Sequence, residues 1–416
     1  MSRLDAAGGD RGPRASSQEQ VRRENLSRVL RLVHSRRRVP RAEITRATGL
    51  NRSTVADLVA ELVGLGLAFE SEPERANQAG RPSPVVSATR RPVAIAVHPE
   101  TDALTIGAVA LDGTLVQRIR YPLDLPPTPS ELVERASEVI AGLGLGSDAH
   151  PPIGIGVAAP GLVRSSDGIV RLAPHLGWED VPLASLLQEA TGLPMRIAND
   201  ASVGALAEAI FGAGRGATDM VFLNGGSRGI GGGIIANGRP FGGGDGYAGE
   251  FGHTLVNSAG QRCQCGARGC LETEVRPEPL LAAFGPGFRA LPAGEDVGAA
   301  LTPSNREAVM DEARRQLGFL AVSLRNIVNA FNPQVIVLAG FLATLQAIDP
   351  GFLDRTLREQ ALTPPLEGAQ IRAGALGSDL LMVGAAELAF GPLLDDPASQ
   401  SPEGGFLRAA YARRTG

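Results

Sequence analysis

The stretch Ile153-Gly154-Ile155-Gly156-Val157-Ala158-Ala159-Pro160-Gly161 decides the fold class of this chain. A short apolar run that ends in small residues and a Pro-Gly turn reads as a strand buried on both faces, as in a parallel sheet. Upstream, residues 93–97, 104–111 and 115–120 read as an antiparallel meander, followed by a helix over 129–141. Downstream, a helix over 182–191 precedes the strand Met195-Arg196-Ile197-Ala198, the pair Asn199-Asp200 and a helix over 201–213. The cycle then restarts, with strands at 220–223 and 230–235, a long helix at 306–329 and a buried strand at 335–338. Strands alternating with helices predict two α/β lobes, 91–200 and 201–375, with a cleft between them. A helix over 379–390 is expected to cross back and hinge the lobes, so that 376–393 completes the first. Residues 394–416 read as a loose tail.

All three cysteines of the 416-residue chain fall in Cys263-Gln264-Cys265-Gly266-Ala267-Arg268-Gly269-Cys270, ten residues after His253. Three thiols and one imidazole make a complete tetrahedral shell for a structural Zn2+ ion. Gly266 and Gly269 permit the tight backbone this requires. An odd cysteine count in one segment does not suggest a disulfide framework. Glu250, in Gly249-Glu250-Phe251-Gly252-His253, and Glu272, just past Cys270, flank the ligand set. Both are expected to reach a small ligand.

The N-terminal part has a different character. Residues 1–17 read as a disordered tail. Over 18–90, helices at 18–36, 41–48 and 52–65 lead into two short strands near 67–70 and 84–86. Gly49 closes the second helix and Asn51 caps the third. This order predicts a winged helix-turn-helix whose third helix enters a DNA major groove. Arg41, Asn51, Arg52, Ser53 and Thr54 are the candidate DNA contacts, with Arg81 at the wing tip for a minor groove. A helical protein-interaction module with a solvated basic face is the bland alternative.

Charge favours DNA. Residues 1–90 carry 16 arginines against 10 acidic residues, whereas the rest of the chain carries 24 basic against 34 acidic. A basic head on an acidic body implies a nucleic-acid partner for the head alone. There is no lysine, so no step depends on a catalytic lysine. No run of 18 uncharged apolar residues appears, which argues against a membrane span. The polar, Gly-rich start has no apolar signal core, and with zinc-type thiols this predicts a cytoplasmic protein.

The stretch at 154–161, Asn199-Asp200-Ala201, Gly229-Ile230-Gly231-Gly232-Gly233-Ile234, Gly249–His253 and the Cys263–Glu272 segment together resemble the ROK family of repressors and sugar kinases. The resemblance covers roughly residues 20–393. It implies an actin-like (ribonuclease H-like) two-lobed ATPase fold, and the N-terminal head points to the family's sugar-responsive repressors of the xylose and N-acetylglucosamine type. The family's sugar-contacting positions match Asn199, Asp200, Glu250, His253 and Glu272. Carboxylates and an amide suit vicinal hydroxyls, each of which is both donor and acceptor.

In the family's kinases the counterpart of Asp200 is the general base, and backbone loops cradle the ATP phosphates. Three loops depart from that pattern here. An Asp-x-Gly-x-Thr loop is replaced by Val97-His98-Pro99-Glu100-Thr101-Asp102, which adds carboxylates. A Gly-Thr pair is replaced by Ser227-Arg228, and a Gly-Gly pair by Ala339-Gly340 followed by Phe341, expected to fill the purine space. The expectation is sugar binding without phosphorylation, in a homodimer or homotetramer on operator DNA. The alternatives are an ATP-dependent glucose or N-acetylhexosamine kinase with a DNA head, control by a sugar-transport protein partner, and zinc sensing.

Overall fold

The computed structural model describes residues 17–72, 83–144, 152–226, 228–288, 291 and 300–400. The chain forms two compact units, Met1–Arg91 with Gly391–Gly416, and Pro92–Phe390.

In the first unit, helices α1 (Ser17–Arg36), α2 (Arg41–Thr48) and α3 (Arg52–Gly64) accompany strands β1 (Arg38–Pro40), β2 (Ala68–Ser71) and β3 (Val85–Ala88). The strands form an antiparallel sheet in the order β1-β3-β2. Leu26, Val29, Leu30 and Val33 of α1 and Val55, Leu58, Val59 and Leu62 of α3 are fully buried. The Asn51 side chain accepts from the Thr54 N–H at 2.8 Å, which caps α3. Gly49, at φ 70, ends α2 in the left-handed conformation. Strand β1 escapes sequence reading because three residues are too few to show a period. The expected wing, with Arg81, lies outside the described residues.

The expected loose tail over 394–416 is corrected at its start, residues 394–400; residues 401–416 lie outside the described residues. The C-terminal helix continues to Asp395, and Leu393 and Leu394 are buried. Ser27 donates its hydroxyl to the Leu394 carbonyl at 2.6 Å, and Arg31 pairs with Asp395 at 2.6 Å. Pro392 and Asp395-Asp396-Pro397 read as a helix stop, but the apolar pair Leu393-Leu394 finds cover and prolongs it.

The second unit opens with β4 (Val93–Pro99), β5 (Ala103–Ala110), β6 (Leu115–Pro122) and α4 (Pro129–Gly142). Next come β7 (Ile155–Ala159), β8 (Leu162–Arg164), β9 (Ile169–Ala173), β10 (Trp178–Val181), α5 (Leu183–Thr191), β11 (Met195–Asn199) and α6 (Asp200–Phe211). The second lobe holds β12 (Met220–Gly226), β13 (Gly229–Ala236), β14 (Arg239–Pro240), α7 (Leu271–Glu274), α8 (Pro277–Phe284) and α9 (Arg306–Phe331). It continues with β15 (Val335–Gly340), α10 (Phe341–Ile348), α11 (Pro350–Gln360), α12 (Thr363–Gly368) and β16 (Gln370–Ala373), before α13 (Leu380–Asp395).

The two large sheets share one plan. Their orders are β6-β5-β4-β7-β11 and β14-β13-β12-β15-β16, each an antiparallel meander extended by two parallel strands. A third sheet, β10-β9-β8, was not legible in the sequence, since its strands span only three to five residues. The buried indole of Trp178 donates to the Pro127 carbonyl at 2.9 Å and pins that sheet to the first lobe.

Between the lobes, Ala205 and Phe211 of α6 join Phe222, Val337, Leu380 and Val383 in one buried cluster. Residues Gly377–Asp395 are long and apolar enough to cross a membrane by length and composition, but they are mostly buried in the molecule. A Cβ on Gly156 of β7 would stand 1.7 Å from the Ala385 carbonyl, and one on Gly384 2.3 Å from the Val203 carbonyl. The apolar surface of α13 is therefore spent on β7 and α6.

Candidate metal centre and ligand cleft

The ligand atoms of His253, Cys263, Cys265 and Cys270 all lie within 4.8 Å of one another. The Cys263 sulfur is 3.6 Å from His253 Nδ1, and the Cys265 and Cys270 sulfurs are 3.6 Å apart. A tetrahedron with Zn–S bonds of about 2.3 Å has edges near ~3.7 Å, so spacing and donor set both fit zinc. The loop is built to hold this geometry. The Cys263 N–H donates to Ala267 at 2.8 Å, Val256 to Gly269 at 2.9 Å and Leu271 to Thr254 at 3.0 Å. Gly269, at φ 68, has no room for a side chain, since a Cβ would lie 1.6 Å from the Asn257 carbonyl. Burial pushes the Cys263 and Cys270 thiols up, whereas the Ala267 N–H draws Cys265 down.

Sequence reading missed one brace. Glu274 is buried, accepts from the Gln261 N–H at 3.3 Å and faces Arg315, whose guanidinium donates to the Glu274 carbonyl at 3.2 Å. The repeat Glu272-Thr273-Glu274 was the available signal, with one acid facing the cleft and the next facing the core.

The expected sugar residues converge around this loop. Glu272 Oε1 is 3.1 Å from the Cys263 sulfur and 3.4 Å from His253 Nδ1. Its other oxygen lies against Gly229 at the start of β13, where a side chain would have no room. Glu250 opens the short 3-10 turn Phe251–His253 and reaches solvent. Crowding by the cleft walls nevertheless raises its carboxyl; His253 opposes the rise, and Asp200 and Glu272 add to it. Asp200 begins α6 half-buried, with Oδ1 accepting from the Ala201 N–H at 2.7 Å. Desolvation raises its carboxyl, and the field of His98 opposes that. Asn199 is largely committed to the protein. Its oxygen caps α6 through Ala201 and Ser202 at 2.9 and 3.1 Å, and its amide donates to Gly161 at 2.9 Å.

The glycines of β13 have a packing role. A Cβ on Gly231 would come 2.7 Å from that of Ala201, and one on Gly233 2.6 Å from that of Ala205. These glycines let α6 lie directly on the second sheet.

A cavity of about 610 Å³ is bordered by His98, Glu100, Asn224, Ala339, Gly340 and Leu381, among others. The expectation that Phe341 fills the purine space is corrected. Phe341 is buried with Leu342 and Leu345 in the second-lobe core, its ring against Gly225, because the first turn of α10 presents it to that core. In the β4–β5 turn, the Glu100 N–H donates to Ala103 at 2.8 Å and Thr105 donates to Glu100 at 2.7 Å. Arg120 pairs with Glu100 at 3.4 Å and with Asp102 at 3.0 Å. Ser227 lies outside the described residues, and Arg228 is exposed.

In the first unit, Arg52 is exposed at the start of α3, and the Ser53 hydroxyl donates to Asn51 at 2.7 Å. Thr54 is half-buried. Arg41 is ion-paired with Glu70, so it braces α2 against β2.

Comparison with known proteins agrees with this architecture. The xylose repressor of Bacillus spizizenii is 29% identical over 321 residues, covering 76% of this chain and 82% of that protein. A glucokinase of Halalkalibacterium halodurans is 34% identical over 249 residues, covering 56% of this chain and 74% of the enzyme. The crystal structure of a ROK family transcriptional regulator, a homolog of the E. coli MLC protein, superimposes with a TM-score of 0.71 at 25% identity, covering 90% of this chain and 97% of that one. The sequence model of the ROK family matches residues 95–391, the span that holds both lobes, the cleft and the cysteine loop, and the chain therefore belongs to the ROK family.

Proposed function

We infer that the chain is a sugar-responsive transcriptional repressor that binds a sugar in the cleft without phosphorylating it. The observation that carries this reading is the pairing of a carboxylate-histidine cleft with an acidic β4–β5 turn, where Glu100 borders the cavity and Arg120 is engaged by both Glu100 and Asp102. Carboxylates there repel phosphate, and Arg120 is already engaged by them. The similarity to a xylose repressor over most of both chains supports the same reading.

In this reading Asp200, Glu250 and Glu272 accept from sugar hydroxyls, and Asn199 holds the α6 N-terminus in place. His253, Cys263, Cys265 and Cys270 would hold a zinc ion, which when bound fixes the loop that carries Glu250 and Glu272. The first unit would place the start of α3, with Arg52, Ser53 and Thr54, in a major groove, and a homodimer would read two half-sites about 34 Å apart. Arg41 then acts through the fold of the head rather than on DNA. Sugar changes DNA affinity only as far as it prefers one lobe arrangement over another.

The experiment is a mobility-shift titration on a genomic fragment selected by the protein itself, with D-xylose, D-glucose and N-acetyl-D-glucosamine as probes. Repression requires that one of them release the DNA. A kinase with a DNA head is the second reading, favoured by Asp200 in the base position and the glucokinase similarity. Sugar-dependent ADP release well above that of Asp200→Asn would establish it and end the first.

A further inference from the structure

The first unit holds most of its charge in internal pairs. Arg22 pairs with Glu61 at 2.7 Å, Arg23 with Glu19 at 3.4 Å and Arg31 with Asp395 at 2.6 Å. Arg36 pairs with Glu43, and Arg41 with Glu70. Arg28 donates to the Ala47 carbonyl at 3.4 Å, and Arg37 and Arg38 are engaged as well. Arg46, Arg52 and Asp57 differ. All three are exposed, and none has a hydrogen-bond or ion-pair partner among the described residues. Arg46 lies in the last turn of α2 and Arg52 opens α3, so the two cations flank the turn Gly49-Leu50-Asn51.

The helical period then places Asp57. Residues i, i+4, i+7 and i+11 share one ridge of a helix. On α3 that ridge is Ser53, Asp57, Ala60 and Gly64, all exposed, opposite the buried Val55, Leu58, Val59 and Leu62. The Ser53 hydroxyl donates to Asn51 at 2.7 Å, and Ala60 and Gly64 carry no polar side-chain group. Asp57 is therefore the uncommitted polar group at the centre of the outward face.

We propose that Asp57 is a specificity-determining residue of the DNA-binding head, accepting a hydrogen bond from the exocyclic amine of a cytosine in the major groove while Arg46 and Arg52 hold backbone phosphates. This rests on the reading of the first unit as that head, and it names the base chemistry the head selects. Phosphates repel a carboxylate in the groove unless a donor meets it there. Guanine and thymine present only acceptor oxygens and nitrogens on their major-groove edges, and these reject a carboxylate. Adenine sets the acceptor N7 beside its amine, whereas cytosine presents its amine alone. A carboxylate accepts without donating, so cytosine is the base that fits. The arginines carry no such preference, because a phosphate stands at every step of the duplex.

The test is selection of sites from a random duplex DNA library by the full chain, for the wild type, Asp57→Ala, Asp57→Asn and Arg46→Ala. The wild type should select cytosine at one fixed position of its half-site. Asp57→Ala should lose about tenfold of that preference and keep the others, and it should bind unselected DNA at least as well, because a repelling charge is gone. An asparagine both accepts and donates and pairs with adenine, so Asp57→Asn should shift the same position to adenine. Arg46→Ala should weaken binding to all sequences alike and lower the slope of log affinity against log salt by about one. Unchanged base preferences in both Asp57 variants overturn the proposal. So does a wild-type site with no preferred cytosine, or loss of all DNA binding in Asp57→Ala. A wild type that binds no DNA sinks the reading of the head itself, a separate failure.

Discussion

The side-chain amide of Asn199 donates to the Gly161 carbonyl at 2.9 Å and so ties the end of β11 to the turn after β7. The same side chain caps α6, which begins with Asp200. Asn199 thus sets the position of the central acid of the cleft. Asn199→Ala removes the cap and orphans one carbonyl, at a cost of about 1–2 kcal/mol. Chemical denaturation should show that loss, and sugar affinity should fall with it. An unchanged denaturation midpoint would show that the cap contributes nothing.

Gly231 provides a second test of how the lobes meet. If the β13 glycines serve only to cradle phosphates, Gly231→Ala is harmless without nucleotide. The 2.7 Å approach of its Cβ to that of Ala201 says otherwise. Overpacking of this kind costs about 1–3 kcal/mol. A lowered melting temperature in nucleotide-free protein is the expected outcome, and wild-type stability would return the glycines to a phosphate role.

Much of this arrangement was legible in the sequence because the signals were dense and local. The β4–β6 meander runs for seven or eight residues per strand, with β4 and β5 as near-continuous buried apolar runs, and the cysteine loop gathers its donors within eighteen positions. Where sequence reading failed, the deciding partner was remote or the signal short. Phe341 turns into the second-lobe core because Gly225, over a hundred residues earlier, leaves space for its ring. Arg41 looks like a free cation until Glu70 is beside it.

Asp200 gives a prediction with a definite sign. Its carboxyl is raised in the fold, so the native state holds its proton more tightly than the unfolded chain does. At pH 7 the charge is therefore a burden on folding, one that disappears as pH drops below the ordinary value of 3.8. Asp200→Asn keeps an oxygen for the Ala201 N–H and removes the charge. It should melt higher than the wild type at pH 7, match it near pH 3.5, and lose the response to sugar. Equal melting temperatures at neutral pH would contradict the sign.

The metal loop and the sugar cleft share His253, Glu250 and Glu272, so they should fail together. Cys265 is the exposed thiol of the set, and Cys265→Ser removes one of four ligand atoms without opening a core cavity. Zinc content, measured on purified protein by atomic emission, should fall from about one per chain in the wild type. Sugar affinity should fall with it, because Glu272 is held within 3.4 Å of His253 and Glu250 lies on the same turn. DNA binding by the Met1–Arg91 part should survive, since none of the four ligands belongs to that unit. Loss of metal with sugar affinity intact would leave the zinc assignment standing and show that the loop does not brace the cleft.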